Sequence, residues 1–242
     1  MAKFGIGQPV RRVEDQRFLT GQGRYVDDIV LPGMLHACNV LSPHAHARIR
    51  KIDVAKAKAA PGVMLVLTGA DVVAEKIGAL TSHLMPEDFG APKGHRTFQP
   101  LLVADRVRHV GDRVAFVVAE TLAQARDAAE LVEVDYEPLP ALVNIEDAAK
   151  PDAVKVWDDN PAGNNAFRLM FGSKEATDAA FAGARHVVKL RVENNRLSPV
   201  SMEPRVAIGD YAAATDETTL YSANQNPHGA RMEVSHIFHV PE

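Results

Sequence analysis

Apolar and polar positions follow two different periods along this chain, and the clearest change of period lies between Asp105 and Tyr136. Residues 114–119 form an unbroken apolar run of strand length, the pattern of a strand covered on both faces. Thr121 stands three residues before Gln124, a spacing at which a hydroxyl takes the amide hydrogen of a first helical turn while the glutamine reaches back. Leu122, Ala125, Ala129 and Val132 follow at helical spacing, with Gln124, Arg126, Asp127 and Glu130 on the wet face. Near Leu131 the period shortens to two. Val132, Val134 and Tyr136 point one way and Glu133, Asp135 and Glu137 the other, until Pro138 and Pro140 stop the ladder. The pattern predicts a strand–helix–strand unit, with the first domain built around it.

On the N-terminal side the pattern predicts strands at 25–29 and 34–41, joined by a turn at Leu31-Pro32-Gly33. A loop over 42–47 leads to a strand at 48–52. Asp53 then caps a short helix to Ala60, Pro61-Gly62 ends it, and a buried strand follows at 63–67. Residues 75–100 show no sustained period, and a segment that long inside a compact domain is usually functional or an interface. His83, His95 and Arg96 lie in it, with solvated loop residues the plainer reading of each.

Beyond Tyr136 a proline-punctuated connection, 138–165, carries the only tryptophan, Trp157, and reads as an exposed linker. A helix is expected over 174–182, with Ser173 as N-cap and Gly183 just past its end. A strand at 186–193 would place Val188, Leu190 and Val192 inward and Lys189, Arg191 and Glu193 outward. Strands at 206–208 and 219–223 follow. A helix from Pro227 to Val240 then carries Met232, Ile237 and Phe238, with Pro241 ending it. The elements after 185 leave much apolar surface uncovered, so they read as the opening of a second domain within a larger protein or subunit.

Composition narrows the function classes. Hydrophobic residues at 46% and charged residues at 24% of 242 describe an ordinary soluble globular protein, and the predicted strands and helices make it α/β (mixed α+β). A formal charge of −4, without a basic stripe, argues against nucleic acid as a partner. No apolar run of 18 residues exists, so no membrane span is expected, and the start lacks the apolar core of a secretory signal. Cys38 is the only cysteine, which leaves no internal disulfide, four-cysteine zinc site or iron–sulfur ligand set and suits a cytoplasmic protein. The pairs Gly5/Gly7 and Gly21/Gly23 lack the third glycine of a dinucleotide fingerprint and read as loop glycines. His44 and His46, with His36 nearby, lack an adjacent carboxylate or thiolate, so no metal ligand is assigned.

Several short stretches acquire meaning as an ordered set. They are Gly23-Arg24-Tyr25-Val26-Asp27-Asp28-Ile29, continuing through Leu31-Pro32-Gly33-Met34-Leu35-His36, and Ser42-Pro43-His44-Ala45-His46-Ala47-Arg48-Ile49. Pro61-Gly62-Val63, Asp105-Arg106-Val107-Arg108-His109-Val110-Gly111, Val118-Ala119-Glu120 and Asp135-Tyr136-Glu137 follow. Met202-Glu203-Pro204-Arg205 and Gln225-Asn226-Pro227-His228 complete the set. Over nearly the whole chain it resembles the molybdenum-cofactor-binding large subunit of the xanthine dehydrogenase/aldehyde oxidase/carbon monoxide dehydrogenase family.

The resemblance implies an N-terminal arm (1–19), an α/β-hammerhead domain (20–140) and a linker with a short helix (141–184). An incomplete start of a molybdopterin-binding domain (185–242) would follow. It also implies a molybdenum hydroxylase that oxidises an aldehyde, an N-heterocycle or carbon monoxide with water-derived oxygen. The cofactor would be molybdopterin or its cytosine dinucleotide, with 2Fe–2S clusters and FAD on other domains or subunits of a homo-oligomeric complex. Gln225 matches the family's strand-end glutamine, whose amide donates to a molybdenum oxygen. A neutral amide can stabilise such an oxygen without titrating. The plainer reading makes Gln225 a cap for the helix near Pro227.

The family's Gly-Gly-x-Phe-Gly motif, its later pterin-contacting glutamines and its catalytic glutamate fall outside these residues. No catalytic residue is therefore assigned, and the 242 residues alone are expected to be inactive. Glu203 and Arg205 read as a buried pair or an interface, and the loop around His44 as support for domain packing or subunit contact. The rival class is a non-catalytic scaffold or assembly protein that keeps the hammerhead. An independent small-molecule-binding domain would need a convergent polar set within 20–140, and the sequence offers none.

Overall fold

The computed structural model describes residues 11–82 and 84–242, so Gly5, Gly7 and His83 lie outside the described residues. Among these, the helices are α1 (Asp15–Leu19), α2 (Ala55–Lys58), α3 (Gly69–Ala74), α4 (Leu122–Glu130), α5 (Ile145–Ala148), α6 (Lys174–Gly183) and α7 (Pro227–Phe238). The strands are β1 (His36–Leu41), β2 (Ala47–Asp53), β3 (Val63–Thr68), β4 (Ala79–Thr81), β5 (Phe98–Pro100), β6 (Arg106–Val107), β7 (Arg113–Ala119), β8 (Glu133–Pro138), β9 (Ala207–Ala212) and β10 (Glu217–Ser222). The chain divides into two compact units, Met1–Met34 with Glu193–Pro227 and Leu35–Val192 with His228–Glu242.

The larger unit is organised around β7, which lies between β1 and β3 and pairs antiparallel with both. Val117 faces Cys38 on one side and Val66 on the other, and Val114, Ala115, Val117 and Ala119 are fully buried. The apolar run thus reports a central strand. A second sheet, in the order β6-β2-β8, buries Ala47, Val107 and Val114 with Val103. Val40, Ile52 and Val134 pack against both buried clusters, which joins the two sheets through a common core.

Helix α4 lies on β1 and β7. Its start is held as the spacing predicts: the Gln124 amide donates to Thr121 Oγ1 at 3.2 Å, and that hydroxyl donates to Gln124 Oε1 at 2.9 Å. Its buried stripe is Ala125 and Ala128, continued by Val132, whereas Leu122 is 40% exposed. Ala129 also packs against the core, so the expected face is kept at Ala125, Ala129 and Val132, with Ala128 added and Leu122 left out.

Several expectations are corrected. Residues 25–29 are not a strand: Val26–Asp28 is a 3-10 turn, closed by the Tyr25 amide donating to Asp28 Oδ2 at 2.8 Å. A local carboxylate–backbone bond here displaces the ladder. β3 is an edge strand with Met64 61% and Leu65 47% exposed, and its register shifts between Val63 and Leu65. The aperiodic segment contains an antiparallel β4–β5 pair, strands too short to display a period. The helix after Asp53 is confined to α2, although Asp53 Oδ1 does accept the Ala55 amide hydrogen at 3.1 Å.

The proline-rich connection is not a bare linker. Asn164 donates to the Ala148 and Val154 carbonyls at 3.2 and 2.9 Å and accepts from the Val156 amide at 2.9 Å. The Arg108 guanidinium lies 4.1 Å over the Trp157 ring, Arg106 pairs with Asp158 at 2.7 Å, and Asn160 is 3% exposed. These contacts tie the segment to β6 and the residue that follows it.

Ser173 caps α6 by accepting from the Ala176 amide, but Gly183 is the last helical residue and extended Ala184 ends the helix. Residues 186–193 form no strand, despite their alternation. Helix α7 stops at Phe238, where His239 turns left-handed at φ 57°. In the smaller unit β9 and β10 pair antiparallel, with Ile208 opposite Tyr221. The turn at Leu31-Pro32-Gly33 closes as expected, with the Met34 amide on the Leu31 carbonyl and Gly33 at φ 73°.

Candidate functional site

Where β10 ends, Ala223-Asn224-Gln225-Asn226 leads to Pro227, the first residue of α7 and a position at which a missing amide hydrogen costs nothing. Asn224 Nδ2 turns back to Ser222 Oγ at 2.9 Å, which stiffens the strand end. Gln225 is exposed, and its amide makes no hydrogen bond with any described residue, so it does not cap α7. It lines a concavity of about 600 Å³ together with Ala223, Asn224, Glu203 and Arg205.

The expected Glu203–Arg205 pair is not formed. Glu203 is half-buried and accepts the Val26 amide hydrogen at 3.4 Å, while Arg205 is exposed and donates to the Pro199 carbonyl at 3.3 Å. Two residues apart in irregular chain, the side chains diverge to separate backbone partners. Arg205 keeps further N–H donors, so the concavity offers an unbonded neutral amide and a guanidinium. That donor set suits an anionic, oxygen-rich group.

The histidine loop carries no metal arrangement. Among the described residues no group of three His, Cys, Asp or Glu side chains is placed to hold an ion. His46, 6% exposed, joins its Nδ1 to the Pro140 carbonyl at 2.7 Å, and its own carbonyl accepts the Leu139 amide hydrogen at 2.9 Å. It extends the β2–β8 clasp past Pro138. His44 tilts over Tyr136 with ring centroids 4.8 Å apart.

The larger unit has a concavity of about 530 Å³, lined among others by Lys93, His95, Asn160, Phe167 and Arg168. His95 Nε2 stands 3.6 Å from Asp159 and has no hydrogen-bond partner among the described residues, while Arg96 bonds the Ser82 carbonyl. Sequence reading singled out His95 and missed Asn160. No periodicity marks a buried asparagine whose side chain donates to Asn165 O and accepts from the Ala162 amide.

The larger unit is a two-sheet α/β unit, and the smaller one carries a concavity lined by Gln225, Glu203 and Arg205 at the end of β10. The chain belongs to the aldehyde oxidase and xanthine dehydrogenase family: residues 20–140 match its a/b hammerhead domain and residues 158–242 match the molybdopterin cofactor-binding domain. It is 42% identical to the carbon monoxide dehydrogenase large chain of Afipia carboxidovorans over 98% of its own length and 29% of that protein's. It is 36% identical to the nicotine 6-hydroxylase large subunit of Paenarthrobacter nicotinovorans, over 95% of this chain and 27% of that one. The structure superposes on quinoline 2-oxidoreductase from Pseudomonas putida 86 with a TM-score of 0.87 at 41% identity, covering 99% of this chain and 29% of the other. The chain thus spans less than a third of the length of these relatives.

Proposed function

We propose that this chain is the N-terminal portion of a molybdenum hydroxylase large subunit that oxidises an aldehyde, an N-heterocycle or carbon monoxide with water-derived oxygen. The observation that carries the reading is the succession of a hammerhead match by a molybdopterin-binding match along one chain. The donor set around Gln225 fits one face of such a cofactor. Its amide is unbonded among the described residues, and Arg205, which lines the same concavity, would supply positive charge to an anionic group.

When bound, molybdopterin or its cytosine dinucleotide would supply the two-electron chemistry, with 2Fe–2S clusters and FAD as its partners on other domains or subunits. Within this chain Gln225 would hold the cofactor, its amide able to donate a hydrogen bond to a cofactor oxygen without titrating. Glu203 braces the wall of the concavity through the Val26 amide. It is the one carboxylate among the described lining residues and is engaged in that bond, so the catalytic base belongs to another part of the large subunit. No helix of the described residues is long and apolar enough to cross a membrane. The reading places the enzyme in the cytoplasm, as a homo-oligomer of the complex, with this polypeptide inactive by itself.

The test is metal and cofactor analysis of the native complex. Stoichiometric molybdenum with a releasable pterin supports the reading. A complex purified with its iron–sulfur and flavin partners but without molybdenum would leave the scaffold reading in its place.

A further inference from the structure

Two stretches far apart in sequence, 92–95 and 160–168, form the walls of the concavity of about 530 Å³ in the larger unit. These walls are tied together by backbone and by one buried side chain. The His95 amide donates to the Ala166 carbonyl at 2.7 Å, and the Gly94 amide donates to Glu87 Oε2 at 3.0 Å. Asn160, 3% exposed, donates to the Asn165 carbonyl at 3.1 Å and accepts the Ala162 amide hydrogen at 3.0 Å, which fixes the course of the second wall. Gly94 lies so close to that wall that an added Cβ would stand 3.1 Å from Phe167 Cβ and 3.3 Å from the Ala166 carbonyl oxygen.

The walls present donors without acceptors. Lys93 and Arg168 are exposed and make no hydrogen bond or ion pair with any described residue, and the Asn165 side chain makes none either. His95 Nε2 is buried and also lacks a hydrogen-bond partner among the described residues. No Asp or Glu is among the described lining residues, and Asp159, 3.6 Å from His95 Nε2, is 76% exposed outside the lining. A guanidinium takes phosphate oxygens in pairs and an ammonium takes them as a point charge. Two unpaired cations match the charge of about −1.5 to −2 on a phosphate monoester better than the single charge of a carboxylate. The rest of the lining is apolar, with Phe167 55% exposed beside Pro92 and Pro161. We propose that this concavity binds a small phosphate monoester, its phosphoryl oxygens held by Lys93, Arg168 and the Asn165 amide and its organic part laid against Phe167. Its volume falls within the range of about 300–1,000 Å³ usual for small-molecule sites. The site goes beyond the proposed redox function and shares no lining residue with the concavity around Gln225.

The experiment is equilibrium dialysis of the full-length protein in its native complex against radiolabelled inorganic phosphate, adenosine 5′-monophosphate and uncharged adenosine, at one fixed, low ionic strength. Expected is saturable binding of a single nucleotide per chain, at least about fivefold tighter than inorganic phosphate through stacking on Phe167, and no measurable binding of adenosine. Lys93→Ala and Arg168→Ala should each weaken phosphate and nucleotide about tenfold. Phe167→Ala should bring the nucleotide down to the affinity of phosphate. Lys150→Ala removes an exposed cation outside the concavity and should change nothing. Lys93 and Arg168 bond no described residue, so their variants should keep the wild-type melting temperature. Absence of saturable binding overturns the proposal. So does an equal loss on Lys150→Ala, which would mean general charge attraction, or full binding in the Lys93→Ala/Arg168→Ala double variant, which would place the phosphate elsewhere. A nucleotide no tighter than inorganic phosphate overturns the monoester assignment. None of these outcomes bears on molybdenum content, so the redox reading stands or falls by its own test.

Discussion

Gly69 is the position at which one methyl group is expected to do the most harm. It opens α3 directly after β3, is buried, and lies so close to the chain at Val103–Ala104 that an added Cβ would sit 2.4 Å from Val103 C, Val103 O and Ala104 N. Those neighbours are backbone, and Leu102 and Val103 are only 5% and 4% exposed, so no side chain can swing aside. Nor can α3 drift away. Thr68 donates both its amide and its hydroxyl to Asp71 Oδ2 at 2.7 Å and pins the first turn. Overpacking of this kind costs about 1–3 kcal/mol. Alanine's better helix propensity returns at most about 1 kcal/mol. The net loss is therefore about 1–2 kcal/mol, and at about 2–4 °C per kcal/mol the melting temperature should fall by about 2–8 °C. Gly183→Ala is the control, because Gly183 ends exposed α6 with nothing within 4 Å. There the same substitution should stabilise the helix by about 0.4–1 kcal/mol, read as slower amide exchange across α6. Calorimetry and hydrogen exchange on both variants check the pair. A Gly69→Ala protein melting at or above wild type would refute the close-approach reasoning.

Two further outcomes follow from particular contacts. In the complete enzyme Gln225→Ala should lower kcat by about 10²–10³, roughly 2.7–4 kcal/mol, with an unchanged melting temperature because the side chain bonds no described residue. Gln225→Glu should be at least as harmful, and a Gln225→Ala enzyme with wild-type kcat and full metal would remove the residue from the site. Asp158 is held below the ordinary aspartate range, chiefly by its hydrogen bond from Arg106. A depressed carboxyl contributes stability above its unfolded pKa and loses it as pH falls through the folded one. Emission from Trp157, the only tryptophan, should therefore shift in acid as the segment loosens, and Asp158→Asn should show the shifted spectrum already at neutral pH. An identical titration in wild type and variant would contradict the latch.

The elements legible in the sequence are those long enough to repeat. β7, α4 and β8 show one full cycle of pattern each, and their caps and stops are local chemistry: Thr121 with Gln124, then the prolines after Tyr136. β4 and β5, three residues each, show no period at all. The edge status of β3 depends on strand order, which an apolar run cannot express, so Met64 and Leu65 read as buried and stand in solvent. The 139–165 segment is organised by asparagine side chains that each serve several backbone groups, and such bonds leave no trace in a hydrophobicity pattern. At the candidate site, the place of Gln225 at a strand end follows from the order of strand, polar residues and proline. The divergence of Glu203 and Arg205 depends on Val26 and on irregular backbone that no motif describes.

Residues 186–193 separate two things that alternation is often asked to report together. Alternation tells which side chains would share a face if the backbone were extended; here Val188, Leu190 and Val192 are strongly exposed, and so is Arg191, whose guanidinium lies 2.9 Å from Glu146. Whether an extended segment is a strand is settled by a neighbour, since a ladder needs donors and acceptors from two chains. The same distinction applies to β9 and β10. Their pairing satisfies one edge of each strand, yet Tyr211 and Leu220 remain 60% and 43% exposed, and a two-stranded sheet is marginal until further apolar surface covers it. Helix α7 shows the opposite case, because Ile237 is 5% exposed and its carbonyl accepts the Gly78 amide hydrogen at 2.7 Å, so both its side chain and its backbone are satisfied within this unit. The larger unit meets the demands of its own pattern almost throughout β7, β2 and α4, and the region after α6 does not.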